Sequence, residues 1–154
     1  MSTKRSIILR GTPEVNEYGA ANVAISPGYL VKGNYPGSTV VAVQSVSNAK
    51  VPANVALERD ELGAGIDDTY LVTGSGAPAA AYASGDTVKV ASFAPGDEAT
   101  MFIASGQNIQ ADEYLSSAGD GTLKAEATFA NAIAQSLEEV GAVTVLTAIR
   151  VRFV

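Results

Sequence analysis

Apolar residues along this chain come in short runs broken by polar ones, and Gly or Pro interrupts almost every window before an apolar pattern of period 3.6 can last three turns. The pattern predicts strands and little helix. Residues 39–46 (TVVAVQSV), 87–91 (TVKVA), 99–104 (ATMFIA) and 143–153 are β-branched or aromatic runs separated by turn chemistry. The last is the clearest: Val143, Val145, Ile149, Val151 and Phe153 fall on odd positions, while Thr144, Arg150 and Arg152 fall on even ones. A period of two turns both arginines outward and sends the odd residues into a core, which places the C-terminal run inside a sheet.

The punctuation between runs is equally regular. Pro27-Gly28, Pro36-Gly37, Gly85-Asp86, Pro95-Gly96-Asp97 and Asp120-Gly121 supply fixed or positive φ. Asp120-Gly121 is expected to close a hairpin between Tyr114-Leu115 and Thr122-Leu123-Lys124. A faint internal repeat runs through these signals. Residues 25–30 (ISPGYL) have a counterpart in 109–115 (IQADEYL), and 53–58 (ANVALE) in 133–138 (IAQSLE), with Tyr29 set against Tyr114. Such a repeat describes a doubled β unit, in which a turn leads into a strand, a hairpin follows, and a second strand ends at an acidic, glycine-terminated bend. Residues 63–83 are rich in Gly, Ala, Ser and Asp and read as a loop-rich connection between the two half-units. The expected organisation is an N-terminal arm over 1–12 and a single β domain over 13–154. A chain of this length should bury roughly 70% of its unfolded surface without a metal or a disulfide.

Charge is distributed unevenly. All 16 acids lie between residues 11 and 149, where the bases are only Lys32, Lys50, Arg59, Lys89 and Lys124, while Lys4, Arg5 and Arg10 open the chain and Arg150 and Arg152 close it. With a net charge of −6 the body would repel nucleic acid, whereas the basic ends suit an acidic protein surface. The run Ile7-Ile8-Leu9 is too short for a signal-peptide core, and no stretch approaches the ~20 apolar residues of a membrane-spanning helix. Neither a nucleic acid nor a membrane is an expected partner, and synthesis in the cytosol is expected. The same apolar run, flanked by Lys4, Arg5 and Arg10, invites a docking partner.

The chain has neither histidine nor cysteine. It therefore lacks the usual general base near neutral pH, the Ser-His and Cys-His pairs, and the commonest transition-metal ligands. Ser47-Asn48-Ala49-Lys50 matches the bare S-x-x-K pattern, but it follows a predicted strand and precedes Pro52, whereas that chemistry needs the serine on a helix beside a buried lysine. The carboxylate pairs Asp67-Asp68, Asp112-Glu113 and Glu138-Glu139 read as acidic surface, since adjacent residues on a strand face opposite ways, and Asp67-Asp68 and Asp97-Glu98 have no spacing that specifies calcium. No phosphate-cradling glycine motif and no calcium-loop motif occurs. No cofactor, metal or catalytic residue is expected. Tyr18, Tyr29, Tyr35, Tyr70, Tyr82 and Tyr114 could stack on sugars, although without tryptophan or neighbouring bases they read as packing residues.

Taken in order, Gly85-Asp-Thr-Val-Lys-Val, Phe93-Ala-Pro-Gly-Asp-Glu-Ala, Gly106-Gln-Asn-Ile-Gln-Ala-Asp-Glu-Tyr-Leu, Ala118-Gly-Asp-Gly-Thr-Leu and Ala132-Ile-Ala-Gln-Ser-Leu-Glu resemble the capsid decoration, or cement, proteins of tailed bacteriophages. The resemblance covers about residues 84–154 and, less fully, 26–58. It departs from the pattern at Asp112-Glu113, where Gly-Asp is usual, which puts the type of that turn in question. It implies a mainly β, small β-barrel or β-tulip-like domain that assembles as a homotrimer on the major capsid protein, at the outer capsid surface of the virion, and bridges capsomers without catalysis. The capsid-contact candidates are then Lys4, Arg5, Ile7, Ile8, Leu9 and Arg10. The alternative reading is a carbohydrate-binding or fibre-type β module, and behind it a Ser-Lys hydrolase.

Overall fold

The computed structural model describes residues 4–5, 7–33, 41–57, 66–67, 81–142, 144 and 146–154. In chain order the strands are β1 (Lys4–Arg5), β2 (Ile8–Arg10), β3 (Glu14–Ala20), β4 (Val31–Gly33), β5 (Val41–Val43), β6 (Asn54–Ala56), β7 (Ile66–Asp67), β8 (Thr87–Ser92), β9 (Glu98–Ile103), β10 (Tyr114–Ser117), β11 (Leu123–Ala125), β12 (Ala134–Ser136) and β13 (Thr147–Phe153). Helical structure among the described residues is a single 3-10 turn, Phe129–Asn131. The protein is mainly β, as the short apolar runs predict.

Strands β11, β10, β12, β13 and β9 are hydrogen-bonded in that order, and a parallel pairing of Leu123 with Ile103 joins β11 back to β9 and closes a five-stranded barrel. The C-terminal strand behaves as its alternation demands: Ile149, Val151 and Phe153 are buried, and Arg150 and Arg152 are exposed. Their register partners Met101 and Ala99 enter the same core with Ile103, Leu115 and Leu123. Val143 and Val145, expected in this strand, lie outside the described residues. The predicted strand over 39–46 ends early: β5 is Val41–Val43 and residues 44–46 leave it, while residues 39 and 40 lie outside the described residues.

The N-terminal half repeats this path. Strand β8 pairs with both β3 and β6, β4 pairs with β5, and single bridges Leu30↔Val55 and Ala21↔Val41, the second parallel, complete the same ring. Ile25, Val31, Val41, Ala56, Tyr82, Val88 and Val90 fill it. The correspondence extends to individual hydrogen bonds. Ile25 exchanges both backbone bonds with Tyr82 as Ile109 does with Val140. Gly28 donates to Ala56 as Asp112 does to Ser136, and Leu57 donates to Lys89 as Leu137 does to Arg150. Phe93 donates to Ala53 as Val154 does to Ile133, and Asn22 to Val41 as Ala104 to Leu123. The doubled unit suggested by 25–30 and 53–58 is thus a doubled barrel. One alignment is corrected: Ala56 donates to Tyr29 and Ser136 donates to Glu113, so Tyr29 corresponds to Glu113 and not to Tyr114.

Tight turns with an acid at their fourth position recur. In Ala83-Ser84-Gly85-Asp86, Ala94-Pro95-Gly96-Asp97 and Gln110-Ala111-Asp112-Glu113, the fourth N–H donates to the first carbonyl. The fourth carboxylate accepts the first N–H in return, at 2.8, 2.9 and 2.7 Å respectively. The third residue has positive φ in each: 93° at Gly85, 94° at Gly96 and 64° at Asp112. Asp112 therefore keeps the turn that the departure from Gly-Asp put in question, because a short polar side chain tolerates the left-handed region.

The two barrels meet along β9, whose residues from Ala99 to Ile103 are buried on both faces. Phe102 points away from the second barrel's core and meets Tyr29 in a T-shaped contact with ring centroids 5.7 Å apart. Ile7 is fully buried in the same cluster, and its carbonyl accepts the Thr100 N–H. Gly121, in the predicted β10–β11 hairpin, has φ 88° and lies so close to the first barrel that a Cβ there would stand 2.7 Å from Tyr29 Cδ2 and 2.8 Å from Val43 Cγ1. Its carbonyl accepts the Leu30 N–H. The connection expected over 63–83 lies largely outside the described residues. At its end Tyr82 is a core residue, whose hydroxyl donates to the Leu57 carbonyl at 2.9 Å.

Candidate binding surface

The six N-terminal candidates take different places. Lys4 and Arg5 form β1, paired antiparallel with Asp67 and Ile66 of β7. Ile7 belongs to the core between the barrels, so its side chain is withheld from any partner. Ile8 is half-buried opposite Ala99. Leu9 and Arg10 are exposed. Two residues of β2 advance while β9 advances by one, and this bulge aims Leu9 at solvent.

Strand β9 brings the basic ends of the chain together. Strands β2 and β13 pair on opposite edges of its first residues. Glu98 Oε1 there accepts from Arg152 Nη2 at 2.9 Å and Nε at 3.2 Å, with Arg10 Nη1 at 3.9 Å. Two guanidiniums thus share one carboxylate beside exposed Leu9, and the Asp97 carboxylate lies close by against Gly11. Arg150, farther along β13, pairs with Glu138 at 3.5 Å. Exposed pairs of this kind add at most about 1 kcal/mol of stability, so the arrangement matters for what it presents outward.

Much of the remaining candidate chemistry is committed to architecture. Ser47 and Lys50 are exposed on the connection between β5 and β6. Asp97, Glu113 and Glu138 carboxylates accept backbone N–H groups, and Asp112 occupies the left-handed turn position. Burial, helped by the charge of Asp120, pushes the Tyr29 phenol above its ordinary range, and a hydrogen bond with Ser26 opposes part of that shift. Tyr82 is buried, and Tyr114 packs against Phe129 with ring centroids 5.0 Å apart. Tyr35, Tyr70 and the Tyr18 side chain lie outside the described residues. The described tyrosines are thus dispersed and form no common platform.

Two features escape a reading of the sequence. Glu98 as the shared partner of Arg10 and Arg152 has no local signal, since strand pairing alone brings the three together. Phe129 is 60% exposed, the largest exposure among the described large apolar residues. Its signal is visible afterwards: it is a lone aromatic in Ala127-Thr128-Phe129-Ala130-Asn131, without the alternation that would give it a buried face.

The geometry defines a class: a small doubled β-barrel protein with an arginine-bearing, partly apolar surface where β2 and β13 flank β9. Among solved structures, the fold is similar to the N base of the head fibre protein gp8.5 of bacteriophage phi29, at 11% identity and a TM-score of 0.53, over 92% of this chain and 95% of that one. No family model matches the chain, and no curated protein matches it.

Proposed function

We propose that this chain is a structural protein of a tailed-phage particle, seated on the outer surface of the capsid. There it binds the major capsid protein and stabilises the shell by bridging capsomers, without catalysis. The observation that carries the reading is the end-to-end likeness to a head-fibre base, which spans nearly all of both chains. The ordered series of motifs from Gly85 to Glu138 supports it independently. Homotrimers made in the host cytoplasm and assembled onto finished heads fit this role, because several weak sites on one oligomer combine through effective concentration. The contact surface is Leu9, Arg10 and Arg152 around Glu98, with Lys4 and Arg5 on the adjoining β1.

The likeness also favours a second reading, that the chain is the capsid-attached base of a fibre. The two readings share the capsid surface and differ in whether further protein is carried outward. The test is co-sedimentation of the purified chain with heads stripped of accessory proteins, using expanded and unexpanded shells. Saturable binding to expanded heads, at a stoichiometry that is a multiple of the capsomer junctions, is expected. Arg10→Glu combined with Leu9→Asp should weaken it without changing the fold. Absence of binding to every shell overturns the proposal. These substitutions are preferable to deleting residues 2–10, which would also remove Ile7 from the core.

A further inference from the structure

One outward-facing row of side chains is repeated in the two barrels and dressed differently in each. In the second barrel Tyr114 of β10 is opposite Gln135 of β12, and Gln135 is opposite Arg152 of β13. On the other side of Tyr114 stands Glu126, whose N–H donates to the Tyr114 carbonyl. The first barrel has the same row at Gln44, Leu30, Val55 and Ala91: Gln44 donates to Leu30, Leu30 is bridged to Val55, and Val55 is opposite Ala91. There all four are buried, and Leu30, Val55 and Ala91 pack in the cluster with Ile7 and Phe102, outside the first barrel's own core. The row is thus the apolar seam between the barrels. In the second barrel its residues are half-buried or exposed, and they are a carboxylate, a phenol, an amide and a guanidinium.

An aromatic corner stands on this polar row. Phe129 is 60% exposed, and its ring lies 5.0 Å from that of Tyr114, inclined at 59°. Glu126 Oε1 accepts the Thr128 N–H at 2.9 Å, and that bond above all holds the Glu126 carboxyl below its ordinary range. Gln135 Nε2 donates to the Asp112 carbonyl at 2.8 Å, which fixes the amide beside Tyr114. Asn131 closes the turn that carries Phe129. We propose that Phe129 and Tyr114, with Glu126, Asn131 and Gln135 around them, bind a hexose unit of a neutral glycan. A pyranose has a patch of C–H groups on one face and hydroxyls around its rim, so an aromatic face bordered by carboxylate and amide groups meets both. A protein partner would be better met by a row like the first barrel's, since the centre of a protein interface is depleted of charge. The neighbouring cations are committed, Arg152 to Glu98 and Lys124 to Asn48, which disfavours an acidic sugar. Strand β10 is two strands from β9 in one direction around the barrel and three in the other, so the corner is set apart from Leu9 and Arg10. Glycan binding there does not depend on what the surface around β9 binds.

A glycan array probed with the labelled full chain and its variants tests this. The parent should be retained on neutral hexose glycans. Phe129→Ala should reduce that retention roughly tenfold or more by removing the stacking face, and Phe129→Tyr should preserve it. Glu126→Gln should keep the turn, because Gln44 Oε1 accepts the equivalent Val46 N–H at 3.1 Å, and yet weaken retention by replacing a charged acceptor with a neutral one. Phe129→Ala should still co-sediment with phage heads as the parent does, so the glycan and capsid readings fail separately. A parent retained on no neutral glycan overturns the proposal, and so does Phe129→Ala retained as strongly as the parent. Matching thermal unfolding of parent and variants assigns the losses to the site. Should Phe129→Ala unfold early, Glu126→Gln is read in its place, and undiminished retention of that variant is then the overturning result.

Discussion

Gly121→Ala and Gly85→Ala, compared with each other, measure how tightly the two barrels are joined. Both glycines have nearly the same backbone conformation, φ 88° and 93°, so the cost of forcing an alanine into the left-handed region, about 1–2 kcal/mol, is common to both. At Gly85 a Cβ meets nothing within 4 Å and that cost is all there is. At Gly121 the same Cβ stands 2.7 Å from the Tyr29 ring and 2.8 Å from Val43, inside a contact that neither neighbour can leave freely. Overpacking of this kind adds about 1–3 kcal/mol. Gly121→Ala is therefore expected to lose about 2–5 kcal/mol in total and Gly85→Ala about 1–2 kcal/mol. For a domain of this size each kcal/mol lowers Tm by roughly 2–4 °C. Urea unfolding at neutral pH reads the difference as a shift of midpoint with the slope preserved. Val43→Ala in the Gly121→Ala background should recover part of the loss, as a double-mutant cycle would show. Equal losses at the two glycines would refute the reasoning, since they would leave the barrel–barrel contact with no resistance to an added methyl.

Ile7→Ala should cost about 2–5 kcal/mol in chemical denaturation, because it empties a fully buried site between the barrels, whereas Leu9→Ala two residues on should stay within about 0.5 kcal/mol. Asp112→Gly should be neutral or stabilising by up to about 1 kcal/mol, relieving a non-glycine residue at φ 64°, while Asp112→Val should destabilise by more than about 1 kcal/mol, both read from thermal melts. The Tyr29 phenol loses its proton later in the folded chain than in the unfolded one, so between those two values the unfolded state holds fewer protons and stability falls as pH rises. Denaturant midpoints above about pH 10 should therefore drop, and drop less steeply in Tyr29→Phe.

Strand chemistry was the most legible part of the sequence. The alternation from Ile149 to Phe153 reports directly which face meets the core, and Asp120-Gly121 marks a hairpin because such turns require residues that tolerate positive φ. The repeat was faint because different side chains serve the same backbone. Gly28 and Asp112 make equivalent turns, Tyr29 and Glu113 share a place, and few equivalent positions, such as Ile25 with Ile109, Leu57 with Leu137 and Val90 with Val151, retain the same residue. The N-terminal candidates were read as one arm because their composition is uniform, basic and apolar. What separates Ile7 from Leu9 is pairing with β9, about ninety positions away along the chain, and no local pattern carries that information. The same holds for Arg10 and Arg152, whose meeting at Glu98 depends on closure of the sheet. Phe129 went unnoticed because a single aromatic has no periodicity.

The position of β9 between β2 and β13 has a mechanical consequence. Both neighbours run antiparallel to it, so they are parallel to each other. A load entering at Ile7 and leaving at Phe153 pulls them in opposite directions along their length. The backbone bonds on both edges of β9 are then strained sideways and together, so many must yield at once instead of parting one by one from an end. Forced opening is governed by the rate of unfolding, so bonds loaded in this way act on that rate. Tension between the two ends of this chain would be borne by the shared strand at the centre of the molecule, while the turns and connections around the barrels carry little of it.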